Sequence, residues 1–157
     1  MSRFEPWSEE RTVEIITEHS ALEGPLMPIL HALQHTFGHV PEEAIPVIAR
    51  ELNLSRAEVH GVVTFYHDFR RELPGKHVLK LCRAEACQAM GCERLVERAE
   101  DRLGVECGNT SADGRVTLEA VYCLGLCASG PSAMLDGRVV ARLDNTRLDQ
   151  LLKEAQA

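Results

Sequence analysis

The stretch Val78-Leu79-Lys80-Leu81-Cys82-Arg83-Ala84-Glu85-Ala86-Cys87 decides the fold of this chain. Residues 78–81 read as a short β run entered from Pro74-Gly75, and the run delivers the chain to the first of two cysteine pairs. The second pair is built the same way. Arg115-Val116-Thr117-Leu118-Glu119-Ala120-Val121 alternates in part and reads as a strand, and Cys123-Leu124-Gly125-Leu126-Cys127 follows, with Pro131 shortly after. A strand end sets a direction, and the loop beyond it carries free backbone N–H groups. Four thiolates converging there make a soft, negatively charged site that suits an iron–sulfur cluster or zinc.

Working outward, a helix is expected from about residue 87 to 103, with Leu95, Val96, Ala99 and Leu103 inward and Gly104 as its end. Ala133-Met134-Leu135 and Arg138-Val139-Val140-Ala141 flank Asp136-Gly137, the favoured turn of a two-residue hairpin. Asp144 or Asn145 caps a last helix carrying Leu148, Leu151 and Leu152. The order β-α-β-β-β-α is an α+β sandwich of thioredoxin size over residues 74–157.

Residues 1–73 read as helix throughout. Ser8 caps a first helix through Val13 and Ile16. Pro25 opens a second, with Leu26, Ile29, Leu30, Leu33 and Phe37 as its apolar stripe and Gly38 as its stop. Pro41-Glu42-Glu43 opens a third, with Ala44, Val47, Ile48 and Leu52 inward. Ser55-Arg56-Ala57-Glu58 has the form of a capping box, and a fourth helix follows through Val59, Val62, Val63 and Tyr66. Short amphipathic helices of this kind pack as a small bundle.

The bulk numbers narrow the function. A net charge of −7 argues against nucleic acid as the partner, because phosphate binding needs a basic surface. Hydrophobic content of 45% supports a core, and aromatic content of 4% means that Leu, Val, Ile and Ala build it. The opening residues Met1-Ser2-Arg3-Phe4-Glu5-Pro6-Trp7-Ser8 have no apolar stretch of the secretory kind. No apolar run approaches the roughly 18–20 residues of a membrane helix, so a cytoplasmic protein without membrane insertion is expected. In a reducing compartment the six cysteines are not a disulfide framework.

Buried core thiols explain a lone cysteine well, but a core has no need of sulfur clustered in two close pairs. Zinc knuckles favour two- to four-residue separations and tolerate gaps of four and three, though these are not the usual matched knuckle, whereas thiol–disulfide enzymes more often place two residues between their cysteines. Gly125 lets the second loop turn tightly, and N–H groups aimed at sulfur would raise a cluster's reduction potential. Spacing alone leaves iron–sulfur and zinc open.

Cys-x4-Cys, then the segment 88–122, then Cys-Leu-Gly-x-Cys with a nearby Pro resembles the thioredoxin-like 2Fe–2S ferredoxin family. This family includes the 24-kDa subunit of respiratory NADH dehydrogenase (complex I) and matching subunits of NAD-linked hydrogenases and molybdenum formate dehydrogenases. The N-terminal stretches Leu33-Gln34-His35-Thr36-Phe37-Gly38-His39-Val40-Pro41 and Gly61-Val62-Val63-Thr64-Phe65-Tyr66 resemble its helical bundle. The resemblance implies Cys82, Cys87, Cys123 and Cys127 as ligands of one 2Fe–2S cluster. The run from Cys82 to Gly91, Cys-Arg-Ala-Glu-Ala-Cys-Gln-Ala-Met-Gly, is most similar to the γ subunit of soluble NAD-dependent formate dehydrogenase. That implies a non-catalytic electron-transfer subunit beside a flavin- and NAD-binding subunit, with FMN, further iron–sulfur clusters and a molybdenum cofactor in partner subunits. It also implies a cluster off the main electron path, acting as a one-electron reservoir. The other expectations are the equivalent subunit of complex I or of an NAD-linked hydrogenase and, from a different class, a zinc-stapled interaction module.

Several residues are set aside. Gly104, Gly108 and Gly114 are too dispersed for a dinucleotide fingerprint. Cys92 and Cys107 lie outside the motif and read as ordinary thiols. His31, His35 and His39 read as a polar helix face or a partner contact rather than a metal site. Asp68-Phe69-Arg70-Arg71-Glu72 reads as a solvated linker. Arg83 and Glu85, between two expected ligands, suit either cluster tuning or a partner contact.

Overall fold

A computed structural model describes residues 4–157; the first three residues of the opening segment lie outside the described ones. The chain divides between Leu73 and Pro74 into two compact units.

The first unit holds four helices: α1 (Glu9–His19), α2 (Leu26–Phe37), α3 (Ala44–Leu52) and α4 (Arg56–Phe65). Local chemistry sets their ends. Ser8 Oγ accepts the Arg11 N–H at 3.2 Å, Gly38 stops α2 in the left-handed conformation, and the Ser55–Glu58 capping box is complete. The third helix starts at Ala44, not at Pro41, because Pro41–Glu43 form a tight turn in which Ala44 N–H donates to the Pro41 carbonyl at 3.0 Å. Ile15, Ile29, Leu30, Leu33, Phe37, Ile48, Val59 and Val63 fill the core. Phe69, expected on a solvated linker, is buried in it and packs at a tilt against His31 with ring centroids 4.9 Å apart. Gln34 pins that segment from both sides. Its Nε2 donates to the Asp68 carbonyl at 2.7 Å, and its Oε1 accepts the Arg70 N–H at 2.6 Å.

The second unit is a mixed sheet of four strands, β1 (His77–Cys82), β2 (Val116–Val121), β3 (Ala133–Leu135) and β4 (Arg138–Val140), in the order β2-β1-β3-β4. β1 and β2 are parallel; β1 with β3 and β3 with β4 are antiparallel. The helices are α5 (Glu85–Ala89), α6 (Cys92–Leu103) and α7 (Asn145–Ala155). The α+β architecture expected from the sequence is therefore present. Helices α6 and α7 pack on β1 and on each other, burying Leu79, Leu81, Leu95, Val96, Ala99, Leu118, Leu148 and Leu151. Alternate residues of β1 turn the other way, and Lys80 meets its register partner Glu119 at 3.6 Å. Asp136 and Gly137 both take positive φ, 50° and 88°, the requirement of a type I′ turn.

One expected helix proves to be two. The run from 87 to 103 is broken at Gly91, whose φ of 85° belongs to the left-handed region. Without a Cβ, glycine enters that region at little cost, so α5 ends and α6 restarts at Cys92. The first helix also begins earlier than expected, at Glu85, and Cys87 lies within its single turn.

Candidate metal centre

The two cysteine segments meet because β1 and β2 are neighbours and parallel, so both strands end at the same edge of the sheet. Cys82 is the register partner of Val121, and Arg83 N–H continues the ladder to the Val121 carbonyl at 2.8 Å. Cys123 therefore emerges beside Cys82. All six cysteines are free thiols.

The four motif cysteines form an inner and an outer pair. Cys82 and Cys87 are each 2% exposed and lie in one buried cluster. Cys123 and Cys127 lie at the surface with their sulfurs 3.6 Å apart. A tetrahedral metal with bonds of about 2.3 Å to sulfur holds two thiolates about 3.8 Å apart, so the outer pair already has the spacing of two ligands on one metal. Among the described residues, no three His, Cys, Asp or Glu side chains close on a single ion position; the thiols are arranged pair by pair.

Backbone donors surround these sulfurs. Burial pushes the Cys82 thiol up, but the N–H groups of Ala84 and Cys123, with Cys87 and the Ser132 hydroxyl, outweigh it and hold it below its usual value. The Cys87 thiol is pushed up, first by burial and then by its bond to Cys82, with Ser132 opposing. Cys127 is also pushed up, first by its bond to Cys123, with the charges of Cys123, Cys87 and Cys82 all acting on it. The other three sulfurs thus all act on Cys127. The Gly125 N–H reaches Cys123 Sγ at 3.3 Å, which the positive φ of Gly125, 76°, permits. Cys123 itself sits at φ 113°, a strained conformation for a residue with a Cβ. It supplies an N–H to Cys82 while its own sulfur faces Cys127.

The donor set fits a cluster with two metal positions. It offers four thiols in two pairs, one pair shielded from water, with N–H groups that spread thiolate charge.

The surroundings hold residues that sequence reasoning missed or discounted. Cys92 is buried behind the inner pair in one cluster with Cys82 and Cys87. Burial, then the charge of Glu93, push its thiol up to about 11. Gly91, left-handed at φ 85°, immediately precedes it and starts α6 at Cys92. Arg83 makes a two-pronged bond to Glu93, at 3.1 and 2.7 Å. Cys107 is half-buried beside Arg83. Tyr122, next to Cys123, is 72% exposed. Ser132 follows Pro131 into the core; only that proline was visible as a signal for it.

The family model described as thioredoxin-like [2Fe-2S] ferredoxin matches residues 12–156. The chain belongs to the thioredoxin-like 2Fe–2S ferredoxin family. It is 37% identical over 132 residues to a subunit of the NADH-quinone oxidoreductase of Pseudomonas aeruginosa, covering 82% of this chain and 80% of that one. It is 36% identical over 124 residues to the like-named subunit in Escherichia coli K12, covering 79% and 75%. It is 30% identical over 142 residues to the HndA subunit of the NADP-reducing hydrogenase of Solidesulfovibrio fructosivorans, covering 90% and 83%. Among solved structures, the fold is shared with an NAD+-reducing [NiFe]-hydrogenase in the H2-reduced state, with a TM-score of 0.70 at 24% identity over 81% of this chain. This chain spans 22% of that hydrogenase chain.

Proposed function

We infer that this chain is a one-electron-transfer subunit in which Cys82, Cys87, Cys123 and Cys127 hold one 2Fe–2S cluster. The observation carrying this reading is the pair of free thiol pairs at the ends of adjacent parallel strands, in a chain of this family. Such a cluster, when bound, supplies a one-electron couple whose potential follows hydrogen bonding, burial and nearby charge. The chain's own residues do the rest. Cys82 and Cys87 sit where water is excluded, backbone N–H groups stabilise thiolate charge, and the outer pair stands at the surface where an electron partner can approach.

The partner in this reading is the flavin- and NAD-binding subunit of a cytoplasmic, multi-subunit NAD-linked oxidoreductase. It is supported by relatives named as subunits of an NADP-reducing hydrogenase and of NADH-quinone oxidoreductase. No helix among the described residues is long and apolar enough to cross a membrane. Within that class, the resemblance of residues 82–91 supports the γ subunit of an NAD-dependent formate dehydrogenase, with a molybdenum-containing subunit oxidising formate. The names of the relatives support equally the corresponding subunit of complex I or of an NAD-linked hydrogenase.

Anaerobic purification with metal and acid-labile sulfide analysis tests the cofactor. About two irons and two sulfides per chain, with a brown colour, are expected; one zinc and a colourless sample would leave a zinc-stapled interaction module instead. Isolating the native complex through this chain and assaying it with formate, with hydrogen and with NADH plus quinone identifies the parent reaction. The reservoir role predicts that the cluster gains and loses electrons during turnover in rapid-mixing experiments.

A further inference from the structure

Ser132 is a polar side chain in a place built for apolar ones: it is 2% exposed and precedes the wholly buried Ala133. Its position is held from the backbone, since its carbonyl accepts the Cys82 N–H at 3.0 Å. Its hydroxyl oxygen lies 3.8 Å from Cys87 Sγ. The Cys87 sulfur is thus the hydrogen-bond partner of this hydroxyl. A thiolate bound to metal has no proton to give, so the hydroxyl must donate.

We propose that Ser132 is a positioning residue that raises the reduction potential of the cluster by donating its hydroxyl hydrogen to the buried Cys87 thiolate. The inference rests on the cluster reading above. Donors to cluster sulfur favour the state carrying more negative charge, which is the reduced one. The backbone donors of Ala84, Cys123 and Gly125 come with the fold, and side-chain substitution does not delete them. Ser132 supplies its bond from a side chain, so the potential can be changed there without touching a ligand.

The test uses the full holo chain, first assayed for iron and sulfide and then titrated with a chemical reductant while EPR follows the reduced cluster. Ser132→Ala and Ser132→Val remove the hydroxyl, and Ser132→Thr, matched in shape to Val, keeps it. Ala and Val should shift the equilibrium about tenfold toward the oxidised cluster, about 59 mV for one electron, while Thr stays within about twofold of wild type. Unchanged midpoints in Ala and Val with full cluster content would overturn the proposal. So would equal shifts in Val and Thr, which would trace the effect to side-chain volume. Ser132→Ala adds no atoms to the buried site, so it carries the test if the larger side chains block cluster assembly. A wild-type chain without iron and sulfide would remove the cluster reading itself, an outcome distinct from an unmoved potential.

Discussion

Residue by residue, the centre is an asymmetric set of thiols. Each of Cys82, Cys87, Cys123 and Cys127 replaced by Ala should lower bound iron and sulfide several-fold, whereas Cys107→Ala should leave both at wild-type content. Metal and sulfide analysis of the purified variants checks this, and full cluster content in any of the four would remove that residue from the ligand set. Cys92 behaves differently because burial, with Glu93 beside it, favours the neutral thiol and lifts its titration to about 11. Only thiolate is nucleophilic, so at pH 8 about one Cys92 in a thousand is reactive. Alkylation of the folded holo protein followed by peptide mass spectrometry should find Cys92 unmodified at pH 8 and increasingly modified as pH rises toward 11; rapid modification at pH 8 would contradict its protonated, buried state. The expected ligands are legible in the sequence because close spacing after strand-like runs is a local pattern. Ser132 is not, because its partners lie far away in sequence and come to it only through the β1–β3 pairing.

Among the helices and strands, end signals carry most of the information. Ser8, Gly38, the Ser55–Glu58 box and Asp144 act where the sequence places them, since a cap satisfies N–H or carbonyl groups within a few residues. Ser55→Ala removes the acceptor of the Glu58 N–H and should cost about 1 kcal/mol of the first unit's stability, read from urea unfolding; no loss would show that solvent replaces the cap. Gly91 reads from sequence as a helix interior because apolar periodicity continues on both sides of it. Its left-handed conformation makes Gly91→Ala cost about 1–2 kcal/mol, while Gly91→Asn, which tolerates that region, should cost less. Equal unfolding midpoints for the two variants would mean that the break between α5 and α6 does not depend on the backbone of residue 91.

For the molecule as a whole, every thiol of the proposed centre and every donor to it lies in the unit from Pro74 to Ala157, which has its own core. A fragment of residues 74–157 should therefore take up about two irons and two sulfides when expressed alone, as its visible spectrum and metal content would show. A fragment that folds by circular dichroism but stays colourless would mean that cluster assembly needs the helical unit. The α+β class, most helix ends, the hairpin turn and the two cysteine pairs are written in the amino-acid order, because caps, turns and periodicity act between residues close along the chain. Folding in three dimensions added that the pairs share one sheet edge, that one pair is buried and the other exposed, and that Cys92 and Ser132 stand beside the inner sulfurs. Those facts follow from strand order and from which side chains the core leaves no room to expose, and both are set by contacts between residues distant in sequence.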